Sequence, residues 1–215
     1  MEQNIKNRLT TGTTTIGIVC KDGIVLAADK RASGGYRIMD KNAEKIQVIS
    51  DNIAVTTAGL VSDAQLLTKL IKAEIRLKKI RTDREITVKE ASNLLAGMVY
   101  NNIRTPSMIQ SIVGFLVAGK DPTGFHLYEI GMDGSIMTYD DFVSDGSGSD
   151  LAYGVLEAMY KKGISVNEGI QIALKSLNSA MQRDLPTGNG YDVVTITEKG
   201  VIKVISKKIE FNISN

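Results

Sequence analysis

The hydrophobic pattern of this chain changes period in blocks, and the order of those blocks restricts the fold more than any other feature. Thr13 to Cys20 is rich in β-branched residues, and Lys21-Asp22-Gly23 supplies a hairpin turn into Ile24 to Ala28. Lys45 to Ile49 and Ile53 to Thr57 continue in strand fashion around Ser50-Asp51-Asn52. From Val61 to Arg81 the period becomes helical, and Ala64, Leu67 and Ile71 with Leu66, Leu70, Ala73 and Leu77 make one broad apolar face. Thr87-Val88-Lys89-Glu90 is a capping-box start for a second helix running to about Arg104. Strand signals return in Ser111–Ala118, Phe125–Ile130 and Ile136–Tyr139. A third helix opens at Gly148-Ser149-Asp150, and Ser165 with Glu168 caps a fourth. Val193–Thr197 and Val201–Ile205 close the chain as a hairpin. Strands, helix pair, strands, helix pair, strands: segregated blocks of this kind predict an α+β layering and not a doubly wound parallel sheet. Two antiparallel sheets packed together, with a helix pair outside each, bury every apolar face just named.

Composition removes several functions. A net charge of +2 leaves no electrostatic footprint for nucleic acid, and the absence of Trp argues against base-stacking platforms. A single Cys20, inside an apolar strand run, cannot build a disulfide framework and reads as a buried strand residue. A Ser-His-Asp hydrolase would have to use His126, the only histidine, and nothing near it looks like a nucleophile elbow. No Cys/His cluster has zinc-ligand spacing, so neither a metal nor another cofactor is expected. No run approaches the roughly 20 apolar residues that span a bilayer, and residues 1–12 lack the apolar core of a secretory signal. The expected location is the cytoplasm, with residues 1–12 a tail or a removable propeptide and 13–215 a single domain. Lys69, Lys72, Arg76 and Lys79 recur at 3-4-3 spacing on α-helical geometry, which reads as a solvated ridge or as a contact for an acidic neighbour.

Without a second histidine, the most economical hydrolase in this chain uses a hydroxyl and an amine on one residue. A Thr hydroxyl is a weak nucleophile and needs an adjacent base. An α-amino group has an unperturbed pKa of about 7.7–8, whereas a lysine sits near 10.4. Cutting Gly12–Thr13 in the run Gly12-Thr13-Thr14-Thr15 would therefore create the base beside the nucleophile. Taken alone, such a run signifies only β-propensity.

The rest of the chain adds weight. Ala28-Asp29-Lys30-Arg31-Ala32-Ser33, Lys45, Thr57-Ala58-Gly59-Leu60-Val61-Ser62-Asp63-Ala64-Gln65, Gly146-Ser147-Gly148-Ser149 with Tyr153-Gly154-Val155-Leu156-Glu157, and Arg183-Asp184 before Gly190-Tyr191-Asp192-Val193-Val194 together resemble the archaeal proteasome β family. The resemblance runs from Thr13 nearly to the end, in the family's order and approximate spacing. It implies the four-layer αββα sandwich of N-terminal-nucleophile hydrolases and a threonine-type endopeptidase. Thr13 would be the nucleophile after autocatalytic removal of residues 1–12, Lys45 the cation beside its hydroxyl, and Asp29 the carboxylate partner of Lys45. Gly59 would offer its backbone N–H to the oxyanion, and Ser147 and Asp184 would hold the freed amino terminus.

Other readings stand beside these. Ser147 also suits a helix N-cap or an anion nest, although the phosphate-loop Lys is missing, and Asp184 before Leu185-Pro186 also suits a turn. The family commonly has Ser three residues after that Asp, where this chain has Thr187. Thr57 matches the floor of the main substrate pocket, with Ala32, Ser33, Val61 and Gln65 as its walls, an uncharged set that suggests an apolar or uncharged residue before the cut. The partners implied are a ring of α subunits, other β subunits in a stacked ring, a regulatory unfoldase ATPase and unfolded polypeptide substrates. The alternative is a structural, weakly active or unprocessed β subunit required for ring assembly.

Overall fold

The structure is a computed structural model that describes residues 12–109 and 111–209. The expected removable segment lies outside the described residues except for Gly12. In chain order the elements begin with β1 (Thr15–Cys20), β2 (Gly23–Asp29), β3 (Ala32–Gly34), β4 (Arg37–Asp40), β5 (Ile46–Ser50) and β6 (Ile53–Gly59). Helices α1 (Val61–Thr82) and α2 (Val88–Arg104) follow, then β7 (Val113–Asp121), β8 (Gly124–Ile130), β9 (Ile136–Tyr139) and β10 (Phe142–Asp145). Helices α3 (Ser149–Met159) and α4 (Val166–Arg183) precede β11 (Gly190–Thr197) and β12 (Gly200–Lys208).

The strands form two main antiparallel sheets of five strands, ordered β10-β1-β2-β11-β12 and β5-β6-β7-β8-β9, with β3 and β4 as a separate hairpin. Three apolar layers hold four structural layers together. Ile24, Leu26 and Val194 of one sheet meet Ala54, Leu116 and Leu127 of the other. Ile71 and Ile75 of α1 and Leu95 and Val99 of α2 pack on Val55, Phe115 and Val117. On the opposite outer face, Leu156 of α3 and Ile172 and Leu177 of α4 pack on Ile16, Ile18 and Val25. This is the αββα order expected from the block pattern. Because β2 lies between two covered faces, all seven of its residues are buried, which explains why its sequence is a continuous apolar run and not an alternation.

Local signals hold where the bonds they imply are local. Both capping boxes form: Thr87 and Glu90 satisfy each other's backbone N–H groups at α2, and Ser165 and Glu168 do so at α4. Each such cap contributes about 1 kcal/mol. The broad apolar face of α1 is different. Ala64, Leu67, Ile71 and Ile75 are buried, whereas Leu66, Leu70, Ala73 and Leu77 are exposed. Leu66 precedes Leu67 by one residue, about 100° around the helix, so a single flat sheet cannot cover both stripes. The hairpin β3–β4 and strand β10 were not foreseen. Every residue of β4 is exposed, so it carries no burial pattern to detect.

Candidate active site

β1 carries the threonine run into the interface between the sheets. Thr13 is 6% exposed, and Thr14 and Thr15 are fully buried. Thr15 pairs with Ala28 of β2 on one side and Asp145 of β10 on the other. Asp29 therefore ends its strand beside the start of β1, and its backbone N–H donates to the Thr14 carbonyl at 3.2 Å.

The Asp29 carboxylate is saturated with donors. One oxygen accepts from the Lys45 ammonium at 2.7 Å and from the Thr14 N–H at 3.0 Å. The other accepts from the backbone N–H groups of Arg31 and Gly188, each at 3.0 Å. Burial pushes the Lys45 pKa below that of an ordinary lysine, while Asp29 pulls in the opposite direction. The Asp29 carboxylate thus offsets part of the cost of placing a lysine ammonium where burial disfavours charge. Next to Asp29 in the chain, Lys30 forms a second buried ion pair with Asp192 of β11 at 2.7 Å.

A second cluster closes on the Thr13 nitrogen. Thr13 N–H donates to Ser147 Oγ at 3.3 Å, and the Ser147 hydroxyl donates to Asp184 at 2.7 Å. Ser147 stands in the loop between β10 and α3, where Gly148 is the N-cap and no side chain caps the helix. Its hydroxyl is therefore committed to Thr13 and Asp184, not to a helix cap. Asp184 is the C-cap residue of α4. Thr187, fully buried, donates to Asp184 and shares a 2.8 Å hydrogen bond with the Thr14 hydroxyl.

Two residues important to this geometry were missed by the sequence reading. Thr14 bridges the clusters, through its N–H to Asp29 and its hydroxyl to Thr187. Arg31 bonds the Asn189 side chain at 2.7 Å and the Leu185 carbonyl at 2.6 Å, lacing down the segment that carries Asp184 and Thr187. The only hint available was the hydroxyl of Thr14 within the threonine run and the charge of Arg31 beside Asp29.

A cavity of about 800 Å³ opens beside Thr13. Gly12, Thr13, Lys45 and Gly59 line it, as do Ala32, Ser33, Thr57, Val61 and Gln65. Among the described residues the Thr13 hydroxyl has no hydrogen-bond partner in the protein, so it is free to meet a ligand there. Gly59 has φ +126°, and a β-carbon there would overlap the Ile112 carbonyl, so only glycine suits this turn. His126 and Cys20 are not among the residues that line this cavity. His126 shares its Nε2 with the Thr123 hydroxyl at 2.7 Å and lies 3.3 Å from Asp121. Cys20 is buried, and its thiol is pushed up to about 12 by burial, which leaves it protonated and inert.

A family model described as proteasome subunit matches residues 9–196. The chain belongs to the proteasome subunit family. Its relatives include chains named proteasome subunit beta from Ferroglobus placidus and Archaeoglobus profundus, 45% and 42% identical over 207 residues, covering 96% of this chain and 96% and 94% of theirs. A chain of the same name from Methanocaldococcus vulcanius is 44% identical over 191 residues, 88% of this chain and 84% of its own length. The similarity of this proteasome-family chain is thus to β subunits of archaea over nearly its whole length. Among its described residues no helix is long and apolar enough to cross a membrane.

Proposed function

We propose that this proteasome β subunit is a threonine-type endopeptidase whose nucleophile is Thr13, exposed by cleavage of Gly12–Thr13. The observation that carries the reading is the convergence on one buried residue: Thr13 N–H donates to Ser147 Oγ, which in turn donates to Asp184, and Thr13 lines the same cavity as Lys45. When the Gly12–Thr13 bond is cut, the Thr13 nitrogen becomes an amine in a position already provided with an acceptor, Ser147 Oγ. That amine takes the proton of the Thr13 hydroxyl as Oγ1 attacks a substrate carbonyl. The oxyanion takes the backbone N–H of Gly59, and the Lys45 ammonium stabilises the negative charge that develops on oxygen. The C–N bond then breaks, the protonated amine delivers its proton to the departing peptide amine, and an ester joins the acyl group to Thr13. Water, deprotonated by the same amine, hydrolyses the ester and restores the hydroxyl.

Asp29 acts as the anchor for this arrangement, supplying the counter-charge of Lys45 and tying it to the backbone of Thr14. Ser147 and Asp184 orient the amine, and Thr187 positions Asp184. Such a chain works within a stacked ring of β subunits capped by α subunits in the cytoplasm, with unfolded polypeptides delivered by an unfoldase. The test is the intact mass of assembled protein together with turnover of a fluorogenic peptide. The mature chain should start at Thr13, Thr13→Ala should abolish turnover, and Thr13→Ser should retain a substantial part of it. Acetylation of the mature α-amine should silence the protein with Thr13 intact. Wild-type turnover in Thr13→Ala would overturn the reading and return attention to His126 and Cys20.

A further inference from the structure

No step of the chemistry above uses Asp145, the half-buried residue that ends β10 two places before Ser147. Side chains two apart on a strand share a face, so Asp145 follows Val143 toward the layer between the two sheets. There it meets Gly114 of β7, which shares its strand face with Leu116 and Ala118 of the same layer. One carboxylate oxygen of Asp145 accepts the Gly146 N–H at 2.7 Å. The other lies so near Gly114 that a β-carbon on that residue would come within 2.8 Å of it. Glycine at this position is what leaves room for the carboxylate.

Both neighbours of the carboxylate lead to the site. Gly146 opens the turn that carries Ser147 and is pressed against Thr13, whose carbonyl oxygen would lie 2.1 Å from a β-carbon on Gly146. Gly148 donates its N–H to that same carbonyl at 3.4 Å. On the other side, Gly114 faces Ala58 across the β6–β7 ladder, one step from the pair Gly59–Val113. The Ile112 carbonyl accepts the Leu60 N–H at 2.8 Å, which fastens the turn after Gly59 to the start of β7. The Asp145 carboxylate is therefore bonded to the turn that places Ser147 and packed on the strand that places Gly59. Strands β7 and β10 belong to different sheets, so no ladder of backbone hydrogen bonds sets the distance between them.

We propose that Asp145 is a positioning residue of the peptidase site: its carboxylate is the spacer between β7 and the Gly146–Gly148 turn, and fixes the oxyanion donor Gly59 and the amine holder Ser147 relative to each other. The proposal rests on the peptidase reading above. Gly59 and Ser147 act on one reacting carbonyl, the first through the oxyanion and the second through the amine of Thr13. Moving one against the other by about an ångström removes a large factor in rate. Asp145 itself does not line the cavity that holds substrate, so its effect falls on kcat and not on KM.

The experiment measures kcat and KM of the assembled protein on one fluorogenic peptide, per chain shown by intact mass to begin at Thr13. Asp145→Ala removes both contacts, and kcat should fall about tenfold with KM within about twofold of the original. Asp145→Asn keeps an acceptor for Gly146 and nearly the same volume against Gly114, so it should recover most of that loss. Gly114→Ala pushes on the carboxylate from the other side and should lower kcat by a few fold at nearly constant KM. Joined to Asp145→Ala, it fills space that the carboxylate has left, so the double variant should be no slower than Asp145→Ala alone. Three results overturn this proposal and leave the peptidase reading standing: a kcat within about twofold of the original in Asp145→Ala, an Asn variant as slow as the Ala one, or losses that multiply in the double variant. Where Asp145→Ala does not assemble, Gly114→Ala decides alone, and an unchanged kcat there overturns the proposal. Failure of the original chain to cleave any peptide overturns the peptidase reading and this proposal together.

Discussion

Lys45 and Thr14 meet on a single oxygen of Asp29, the ammonium at 2.7 Å and the backbone N–H at 3.0 Å. That shared acceptor couples the charge of the site to the position of the strand that carries Thr13. It also makes Asp29 sensitive to the loss of either oxygen.

Asp29→Asn should be almost as damaging as Asp29→Ala. An amide offers one acceptor oxygen, and its NH2 would face two of the four N–H donors now bound to the carboxylate. Lys45 would be left buried without a counter-charge, a change that costs about 3–5 kcal/mol. Thermal unfolding should show a lower midpoint in both variants, and peptide turnover should drop by more than the change in folded fraction. An Asn variant with the original midpoint and turnover would rule out the anchoring role.

Thr187 provides a graded test of the amine-holding cluster. Thr187→Ser keeps the hydroxyl between Thr14 and Asp184, so activity should stay close to that of the original chain. Thr187→Val keeps the shape but leaves the buried Thr14 hydroxyl and Asp184 short of a partner, at about 1–3 kcal/mol. Its kcat should fall while KM changes little, because the lost contact orients the catalytic amine and does not touch substrate. Equal kcat in the Ser and Val variants would show that the hydroxyl is dispensable.

Gly12 lies so close to the loop opposite that a β-carbon there would overlap Pro186 and come within 2.7 Å of Ser147 Oγ. Gly12→Ala should therefore slow removal of residues 1–12, because the bond to be cut can no longer sit against Ser147. Adding Pro186→Gly removes the overlapping ring and should recover part of the rate. Intact mass against time after expression measures both. Processing of Gly12→Ala at the original rate would mean that this close approach has no part in cleavage.

Asp145 gives a pH dependence of defined sign. Burial raises its carboxyl to about 6, with Glu129 adding to the shift and the Gly146 N–H opposing it. Between the ordinary carboxylate range and about 6 the folded protein binds more protons at this site than the unfolded chain does. Stability from Asp145 is therefore fully present at low pH and is lost as pH rises through about 6. Asp145→Asn keeps an oxygen for the Gly146 N–H and removes the ionisation. Its thermal midpoint should exceed that of the original chain at pH 7.5 and lose this advantage at pH 4.5, each kcal/mol appearing as about 2–4 °C. An unchanged difference across that range would show that Asp145 does not titrate there.

The sequence by itself determined what depends on near neighbours. The capping boxes Thr87–Glu90 and Ser165–Glu168 bridge three residues, and the β1–β2 hairpin turns on Lys21-Asp22-Gly23, so each could be read without a partner from elsewhere. The block order was enough for the four layers, because each apolar face needs a cover and few arrangements supply all of them. What only the tertiary structure decided is which distant groups share a volume. Asp29, Lys45, Ser147 and Asp184 came from the sequence through family likeness; singly, each is an ordinary polar residue. Thr13 reaches Ser147 across 134 residues of chain, and Thr14 reaches Thr187 across 173. Contacts at that separation are set by how the sheets stack and which loops that stacking brings together. Period alone could not tell which stripe of α1 the sheet would cover. A helix records that two of its sides differ, and only the neighbour packed against it decides what each side meets.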